Sequence, residues 1–384
     1  MTTPIIGIES LFFSLLVSIL LIAYVIVFYP TVKRSFKVKS PNRWNSLLVL
    51  FLLILIAIFI SLPFSATVFY LFMPMNWYTV VVFGALALFF FIFAQGRKET
   101  LDEFAFNKNL SEGLNNDLAK SLIDTHNFTT KQELKRKMIH LLAILYVASW
   151  MLEPLVFYGV QFLYAPIANT ATVENFRNAE LLFEDSNLEL ILQNGLIAQF
   201  FMLICIFIGN ANAEIMRLRF PEYPFILKRT LQTTRRPTEI NDISGAILLL
   251  LGLATSSLIL TYSPVDRIMG IYAQMGVICI AVFSDMIAAL IGRKWGKHKW
   301  WCVKGKSYEG TIAGFIIGFF TSIFFVGPLL ALIGGLIFVF TDIALDKIKI
   351  SDNASNPIII GTVFKLLIGF VNPMIVMLPI IRVW

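Results

Sequence analysis

The stretch 283–315, between two apolar segments, carries residue types suited to binding a phosphorylated ligand. The incoming segment contains Asp285, a carboxylate with no evident partner in the sequence, which is interpreted as functional. Six cations and four glycines follow: Arg293, Lys294, Lys297, Lys299, Lys304 and Lys306, and Gly292, Gly296, Gly305 and Gly310. Glycine lets backbone N–H groups approach phosphate oxygens, Lys and Arg neutralise phosphate charge, and a carboxylate can hold Mg²⁺. The stretch therefore predicts a site for a metal-bound polyphosphate.

Further carboxylates follow the next two apolar segments. Asp342 ends one segment, and Asp352 with Asn353 precedes Pro357 at the start of the last. We expect these residues to return to the side of the apolar layer that carries the Lys-rich loop. Oxygen ligands in such a group suit a divalent cation. Asp346 lies among lysines and is interpreted as a solvated surface acid.

Another polar group marks the start of an earlier apolar segment. Thr130-Lys-Gln-Glu133 fits a capping box, so a helix is predicted from there into the apolar run. Arg136, Lys137 and His140 then lie on one face of that helix. An interfacial anchor, with Lys and Arg reaching toward headgroups, is the alternative interpretation. His140 favours a site, because an anchor has no need of an imidazole one turn into the apolar run.

A second polar stripe ends the apolar segment near 190–212. Asn210, Glu214 and Arg217 are spaced to share one helical face. Ionisable side chains inside a span are costly, which favours a site. A Glu–Arg pair that fixes helix packing is the structural alternative. The arginines before Pro237 are interpreted as a patch for lipid headgroups.

Two other motifs are set aside. Gly305-Lys306-Ser307 is similar to the end of a phosphate-binding P-loop, but Trp300 stands where the first glycine of that pattern belongs. An apolar helix is also predicted before it, where a P-loop needs a strand. His298 and Cys302 lie four residues apart, but no second ligand pair accompanies them, so we predict no zinc site there.

The composition indicates a membrane protein. Hydrophobic residues make up 58% of the 384 residues and charged residues only 14%, unlike a soluble domain. Because apolar runs of bilayer-spanning length recur along the chain, we predict an all-α polytopic membrane protein with about ten transmembrane helices. They lie at about 8–29, 46–64, 68–94, 137–160, 190–212, 243–262, 268–292, 311–327, 329–345 and 357–381. The first run is too long for a signal-peptide core and is interpreted as a retained span. The three cysteines predict no disulfide framework.

Charge in the connecting loops predicts the orientation of the spans. Most of the 31 Lys and Arg residues lie in alternate loops, whereas the loop 153–189 is acidic. Under the positive-inside rule, the basic loops face the cytoplasm and the N-terminus lies outside. The net charge of +7 is then an orientation signal, and we expect no nucleic-acid partner.

Taken together, the motifs resemble those of the membrane polyprenol kinase family, which includes dolichol kinase, phytol kinase and CTP-dependent diacylglycerol kinase. Arg136-Lys137-x-x-His140 matches its Arg-Lys-x-x-His element, and Glu214 with Arg217 matches its Glu-x-x-Arg element. Its other elements are matched by Asp285, Ala289, Gly292, Arg293 and Gly296, by Lys306, Ser307, Glu309, Gly310 and Thr311, and by Asp342, Asp352, Asn353 and Pro357. The Glu-Gly-Thr form and the Trp-Gly-x-x-x-Trp before it are most similar to the dolichol kinase branch.

The resemblance implies a kinase that transfers the γ-phosphoryl group of CTP to a polyisoprenoid lipid alcohol, with Mg²⁺ as cofactor, at the cytoplasmic membrane face. It implies catalytic roles for Asp285, Lys306 and His140. Nucleotide or phosphate binding would fall to Arg136, Lys137, Gly292, Arg293, Gly296, Lys306, Ser307, Glu309, Gly310, Thr311 and Asn353. Metal ligands would be Asp285, Asp342 and Asp352, with Glu214 and Arg217 as further site residues.

The resemblance covers about 133–372, which divides the chain into N-terminal spans (1–94), a cytoplasmic loop (95–132) and a membrane core (133–384). Two residues depart from the family pattern. Ser284 stands where the family usually has Gly, which affects how closely backbone approaches the nucleotide. Asp342 stands where it usually has Glu, which shortens a ligand by one methylene.

Several alternatives stay open. CTP-dependent diacylglycerol or phytol kinase comes first, followed by a CTP:lipid-phosphate cytidylyltransferase, whose long acidic and basic C-terminal segment has no counterpart here. A transporter for a phosphorylated lipid or anion is the alternative without catalysis, and the internal repeats that would support it are not evident. The oligomeric state also stays open, with a homodimer as one candidate. The membrane would be the endoplasmic reticulum in a eukaryote or the cell membrane in a prokaryote.

Overall fold

A computed structural model describes residues 8–37, 40, 42–61, 137, 200, 203–204, 206–215, 242–261, 267–348 and 350–368. Apart from Lys137, the loop predicted at 95–132 and the spans predicted at 68–94 and 137–160 lie outside these residues. The elements, in chain order, are α1 (Ile8–Lys37), α2 (Arg43–Ser61), α3 (Gly245–Thr261), α4 (Arg267–Cys279), α5 (Asp285–Lys294), β1 (Lys299–Trp300), β2 (Val303–Ser307), α6 (Tyr308–Ile348) and α7 (Asp352–Ile368).

The described helices are those of a membrane protein. Four stretches are long and apolar enough to cross a bilayer: Val17–Lys37, Arg43–Ser61, Gly270–Lys294 and Tyr308–Leu345. α3 is a shorter apolar helix. The predicted all-α membrane class is thus confirmed in its main feature, while the described residues cover only part of the predicted ten spans. The last span was predicted to begin at residue 357, but α7 begins at Asp352.

The outer faces of these helices are as apolar as their packed faces. Phe28 and Phe338 are fully buried, whereas Phe51, Phe320 and Phe340 are more than half exposed. A helix that is apolar all round suits a hydrocarbon environment, because lipid tails cover what protein does not. This distribution agrees with helices embedded in a bilayer.

α6 is a helical hairpin and not one straight helix. Gly327 has φ 72° and ψ 172°, and Pro328 follows it. Positive φ is favourable for glycine, and proline lacks the N–H that would continue a helix, so the chain turns here. The two arms run side by side, because Gly314 of the first lies against the ring of Phe338 of the second. Both ends of α6 therefore return to the same side of the apolar layer, and the turn lies at the predicted boundary between the spans 311–327 and 329–345.

The helix that carries Asp285 contains a π-helical segment, Ile280–Ser284, immediately before that residue. π-segments inside α-helices are frequent at functional sites. Ser284 is fully buried, and a Cβ at Gly318 of α6 would overlap its hydroxyl. The departure from the family glycine at Ser284 is therefore accommodated by a glycine on the neighbouring helix.

A two-stranded hairpin links α5 to α6, which the all-α prediction did not include. β1 and β2 are antiparallel, with Trp300 opposite Val303. The ring of Trp300 stacks on that of Tyr308, with centroids 3.8 Å apart. Strands this short show too little alternation to be recognised from sequence. Because β2 ends at Ser307, directly before α6, the hairpin holds Lys306 at the beginning of that helix.

α7 lies close against α3 because small residues face each other. A Cβ at Gly252 would stand 2.7 Å from the carbonyl oxygen of Ala354, and a Cβ at Gly361 would overlap the hydroxyl of Ser256. Small residues of this kind let membrane helices approach closely. The contact places the beginning of α7, with Asp352, beside the beginning of α3.

Candidate active site

Lys306 lies between two carboxylates that are far apart in sequence. Its Nζ donates to Oδ1 of Asp342, on the second arm of α6, and to Oδ2 of Asp352 at 3.2 Å. The side chain of Asp342 is 2% exposed, whereas those of Lys306 and Asp352 are 22% and 27% exposed. We refer to Lys306, Asp342 and Asp352 as the Lys306 cluster. It is open to solvent on one side and closed by protein on the other.

The charge on Lys306 is maintained by its neighbours. Burial disfavours the ammonium, but the carboxylates of Asp352 and Asp342 outweigh burial and raise the pKa of Lys306 above its ordinary value. Asp285 adds to this effect from farther away. The side chain is therefore a fixed cation at neutral pH, suited to neutralising a phosphate.

Thr311 supports the buried carboxylate from the other side. Its hydroxyl lies 3.4 Å from Oδ2 of Asp342, to which it donates, and accepts a hydrogen bond from Nε1 of Trp300 at 3.2 Å. The contact of Trp300 ties the hairpin to the Lys306 cluster. Thr311 was predicted from the resemblance to bind phosphate; here its hydroxyl is engaged with protein, and it holds Asp342 in place.

Asp285 forms an ion pair with Lys137. The sequence had suggested a carboxylate without a partner, and that description was wrong, because Lys137 comes from a segment about 150 residues earlier. Lys137 is 3% exposed and Asp285 14% exposed, so both are largely removed from solvent. The pair joins two motifs that the sequence analysis treated separately. Arg136 and His140, the other members of the earlier motif, lie outside the described residues.

Three predicted phosphate-binding glycines have close contacts with protein. A Cβ at Gly310 would stand 2.6 Å from the carbonyl oxygen of Ala288 and 2.8 Å from Cα of Gly292. A Cβ at Gly296 would overlap the carbonyl oxygen of Gly292 and stand 2.7 Å from Cβ of Ser307. These glycines let the loop after α5 and the beginning of α6 pack against α5. Arg293, near the end of α5, is exposed.

Ser307 and Glu309 hold the first turn of α6 and the loop before the hairpin. Oγ of Ser307 accepts a hydrogen bond from the N–H of Gly310 at 3.2 Å, as an N-cap residue does. Glu309 accepts hydrogen bonds from the backbone N–H groups of Lys297 at 3.3 Å and His298 at 3.1 Å, and contacts Nδ1 of His298 at 2.6 Å. In this conformation the hydrogen bonds of both side chains organise the loop and the start of α6.

The residues around the start of α3 form a second polar group, which we call the α3 junction: Glu214, Asp242, Ser244 and Ser40. Glu214 is 1% exposed and accepts a hydrogen bond from the N–H of Ser244 at 3.0 Å. Asp242 is fully buried and contacts the hydroxyl of Ser40. Among its members only Glu214 was predicted, and Arg217 lies outside the described residues. Asp242 could have been noticed as a carboxylate next to an apolar run.

The side chain of Asn353 lies over the start of α3. A Cβ at Gly245 would stand 2.6 Å from its Nδ2. Asn353 follows Asp352, so the Lys306 cluster and the α3 junction are neighbours through the first turn of α7. The structure thus brings together Lys306, Asp342, Asp352 and Thr311, and places Glu214 in the adjoining junction.

Comparison with known proteins gives a distant sequence similarity. No protein-family model matches the chain, and no solved structure matches it. Over 170 residues the chain is 26% identical to CTP-dependent diacylglycerol kinase 1 of Schizosaccharomyces pombe. The aligned part covers 40% of this chain and 73% of that protein. The chain is therefore distantly similar to a lipid kinase, which agrees with the broader resemblance and leaves the dolichol kinase branch as a proposal.

Proposed function

We propose that this protein is a CTP-dependent lipid kinase that phosphorylates a lipid alcohol at the cytoplasmic face of its membrane. The observation that carries the proposal is the Lys306 cluster with the Asp285–Lys137 pair, near the ends of membrane helices. A fixed cation, oxygen donors and a lipid-facing surface are the features that such a reaction needs. The similarity to a CTP-dependent diacylglycerol kinase supports both the donor and the reaction class.

The proposed acceptor is a polyisoprenoid alcohol, on the basis of the Glu309-Gly310-Thr311 form and the Trp295-Gly296 and Trp300 residues before it. Diacylglycerol is the second candidate, and the name of the similar protein favours it. In either case the apolar tail would lie along the lipid-exposed faces of the helices, and the hydroxyl would reach the charged residues at their ends. The two acceptors share one chemistry and differ only in the apolar part.

Phosphoryl transfer requires mainly positioning and charge neutralisation. The hydroxyl oxygen of the lipid bonds to the γ-phosphorus of CTP, the bond from that phosphorus to the β-phosphate oxygen breaks, CDP leaves, and the hydroxyl proton is released to solvent. We assign Asp285 to orient the attacking hydroxyl, with Lys137 holding the carboxylate in place. Lys306 supplies positive charge to the phosphates, and Asp342 and Asp352 fix its position.

Mg²⁺, when bound, would neutralise further phosphate charge. The described residues contain no group of three His, Cys, Asp or Glu side chains arranged to hold a metal ion. Mg²⁺ is nevertheless commonly held by one or two carboxylates together with the phosphates of the substrate. The two carboxylates of the Lys306 cluster, with the neighbouring amide of Asn353, fit that requirement by their chemistry.

Purified protein in detergent, supplied with Mg²⁺, prenols, diacylglycerol and either CTP or ATP, tests the proposal. Mass spectrometry of the lipids and nucleotides should show a prenyl monophosphate together with CDP. Phosphorylated diacylglycerol would select the second acceptor. A CDP-lipid with pyrophosphate, formed once a lipid phosphate is added, would indicate a cytidylyltransferase instead. No turnover of nucleotide by a folded sample would refute the kinase and favour a transporter.

A further inference from the structure

The first turn of α2 contacts the residue that precedes Asp352. Oδ1 of Asn45 accepts a hydrogen bond from the N–H of Ser351 at 2.8 Å. The two residues are 306 positions apart. The first N–H groups of a helix have no partner within it, so an acceptor from elsewhere determines how the helix begins. Asn45 supplies such an acceptor immediately before α7.

The same turn of α2, together with Ser40 before it, also contacts the start of α3. Oγ of Ser46 accepts a hydrogen bond from the N–H of Ile243 at 3.4 Å, and the hydroxyl of Ser40 contacts Asp242. Ser40 and Ser46 are buried. Residues of one short segment, 40–46, are therefore attached to the starts of both α3 and α7. Those two starts already contact each other through Asn353 and Gly245.

The position of Asp352 depends on this attachment. Asp352 is the first residue of α7, and its side chain is 27% exposed. Its hydrogen bond from Lys306 defines one side of the Lys306 cluster. A shift at Ser351 would be passed directly to Asp352 through the backbone. The contact of Asn45 opposes such a shift.

We infer that Asn45 is a positioning residue of the active site, acting on Asp352 through Ser351, and that the first turn of α2 is part of the catalytic unit. The inference rests on the proposed function, in which Asp352 fixes the position of Lys306 beside the phosphates of CTP. It gives a role to N-terminal helices that lie outside the part of the chain resembling the kinase family.

Replacement of Asn45 tests the inference by kinetics. Asn45→Ala should lower kcat/KM for CTP about three- to tenfold, as expected for one hydrogen bond, with KM for the lipid alcohol unchanged. Asn45→Asp keeps an acceptor of the same length and should restore kcat/KM to within about twofold. If Asn45→Ala does not purify as a folded protein, Asn45→Leu provides the same loss of acceptor with a side chain of nearly the same shape.

Tyr24→Phe is the matched control. It removes the hydroxyl that donates to Oδ1 of Asn212 at 3.0 Å, another contact of the N-terminal helices with the rest of the chain. It leaves the Asn45–Ser351 contact in place. We expect it to keep the kinetics of the wild type. A loss equal to that of Asn45→Ala would show that any loosening of these helices matters, and would overturn the specific role of Asn45.

Hydrogen exchange by mass spectrometry provides a measurement that does not need catalysis. In Asn45→Ala the amides at 351–353 should exchange about tenfold faster than in the wild type, and in Tyr24→Phe and Asn45→Asp they should not. Unchanged exchange in Asn45→Ala would overturn the contact, and faster exchange with unchanged CTP kinetics would overturn the positioning role. Faster exchange in a protein whose wild type transfers no phosphoryl group would instead refute the proposed function and leave the contact standing.

Discussion

The Lys306 cluster and the α3 junction both place carboxylates at the ends of membrane helices, but they differ in what satisfies those carboxylates. In the Lys306 cluster, a side-chain cation bridges two acids, and one of the acids is partly exposed. In the α3 junction, Glu214 accepts a hydrogen bond from a backbone N–H and is almost fully buried. A side-chain cation with an open side can exchange partners when a ligand arrives. A carboxylate that accepts a hydrogen bond from a backbone N–H group at the start of a helix cannot exchange partners without disturbing that helix.

The comparison separates two uses of costly polar groups in a membrane protein. Polar and ionisable side chains in apolar surroundings are retained for a reason, either a site or a specific packing arrangement. Exposure distinguishes the two here, since Lys306 and Asp352 are accessible and Glu214 and Asp242 are not. We therefore expect substitutions in the first group to change activity and those in the second to change stability.

The largest effect is expected for Asp285→Asn. The substitution keeps the shape of the side chain and removes the charge that pairs with Lys137. We expect turnover to fall by about 10²–10³-fold, the size of loss seen when one preorganised polar contact to the transition state is removed. Nucleotide-dependent phosphorylation in detergent measures it, and the melting temperature of the same sample checks folding. Wild-type turnover in Asp285→Asn would remove Asp285 from the site.

A smaller effect, on stability, is expected for Gly296→Ala. The added Cβ would overlap the carbonyl oxygen of Gly292, and forced overpacking costs about 1–3 kcal/mol. Because the loop supports the hairpin that holds Lys306, activity should fall in parallel. Gly305→Ala, at an exposed position of β2, is the matched control and should leave the free energy of unfolding nearly unchanged. Equal stability of the two variants would contradict a packing role for Gly296.

A still smaller effect, on activity, is expected for Thr311→Val. Valine has nearly the same shape but lacks the hydroxyl that donates to Asp342 and accepts from Trp300. Of these two hydrogen bonds, the one to Asp342 acts on the site, and its loss corresponds to about 0.5–1.5 kcal/mol, or about a two- to tenfold fall in kcat. Thr311→Ser keeps the hydroxyl and should recover most of the activity. If Ser and Val variants were equally impaired, the methyl group and not the hydroxyl would be responsible.

The smallest effect is expected for Glu214→Gln. The side-chain carbonyl oxygen of glutamine can still accept the hydrogen bond from the N–H of Ser244, so activity should stay within about twofold of the wild type. Glu214→Ala removes the acceptor and should lower the free energy of unfolding by about 1–3 kcal/mol. A large loss of turnover in a stable Glu214→Gln protein would instead place Glu214 in the active site, as the resemblance implied.

Much of the candidate site could be predicted from the sequence because its residue types are rare in apolar segments. Lys306, Asp342 and Asp352 were singled out by charge, and they do lie together. The roles of glycines were harder to predict. A glycine that lets backbone approach a phosphate and one that lets a neighbouring helix approach cannot be distinguished by residue type. The partner of Asp285 was missed because pairing across about 150 residues has no local pattern. The contribution of Asn45 was missed for the same reason.

By itself, the sequence determined that this is a helical membrane protein and which charged residues lie at the ends of its apolar segments. Those properties follow from composition and from the length of apolar runs, which are local quantities. Only the tertiary structure decided that Lys306 bridges Asp342 and Asp352, that Glu214 is closed onto Ser244, and that Asn45 supports the start of α7. Each of these contacts depends on how the helix ends are arranged in space, because a hydrogen bond requires its two atoms to be within about 3 Å of each other.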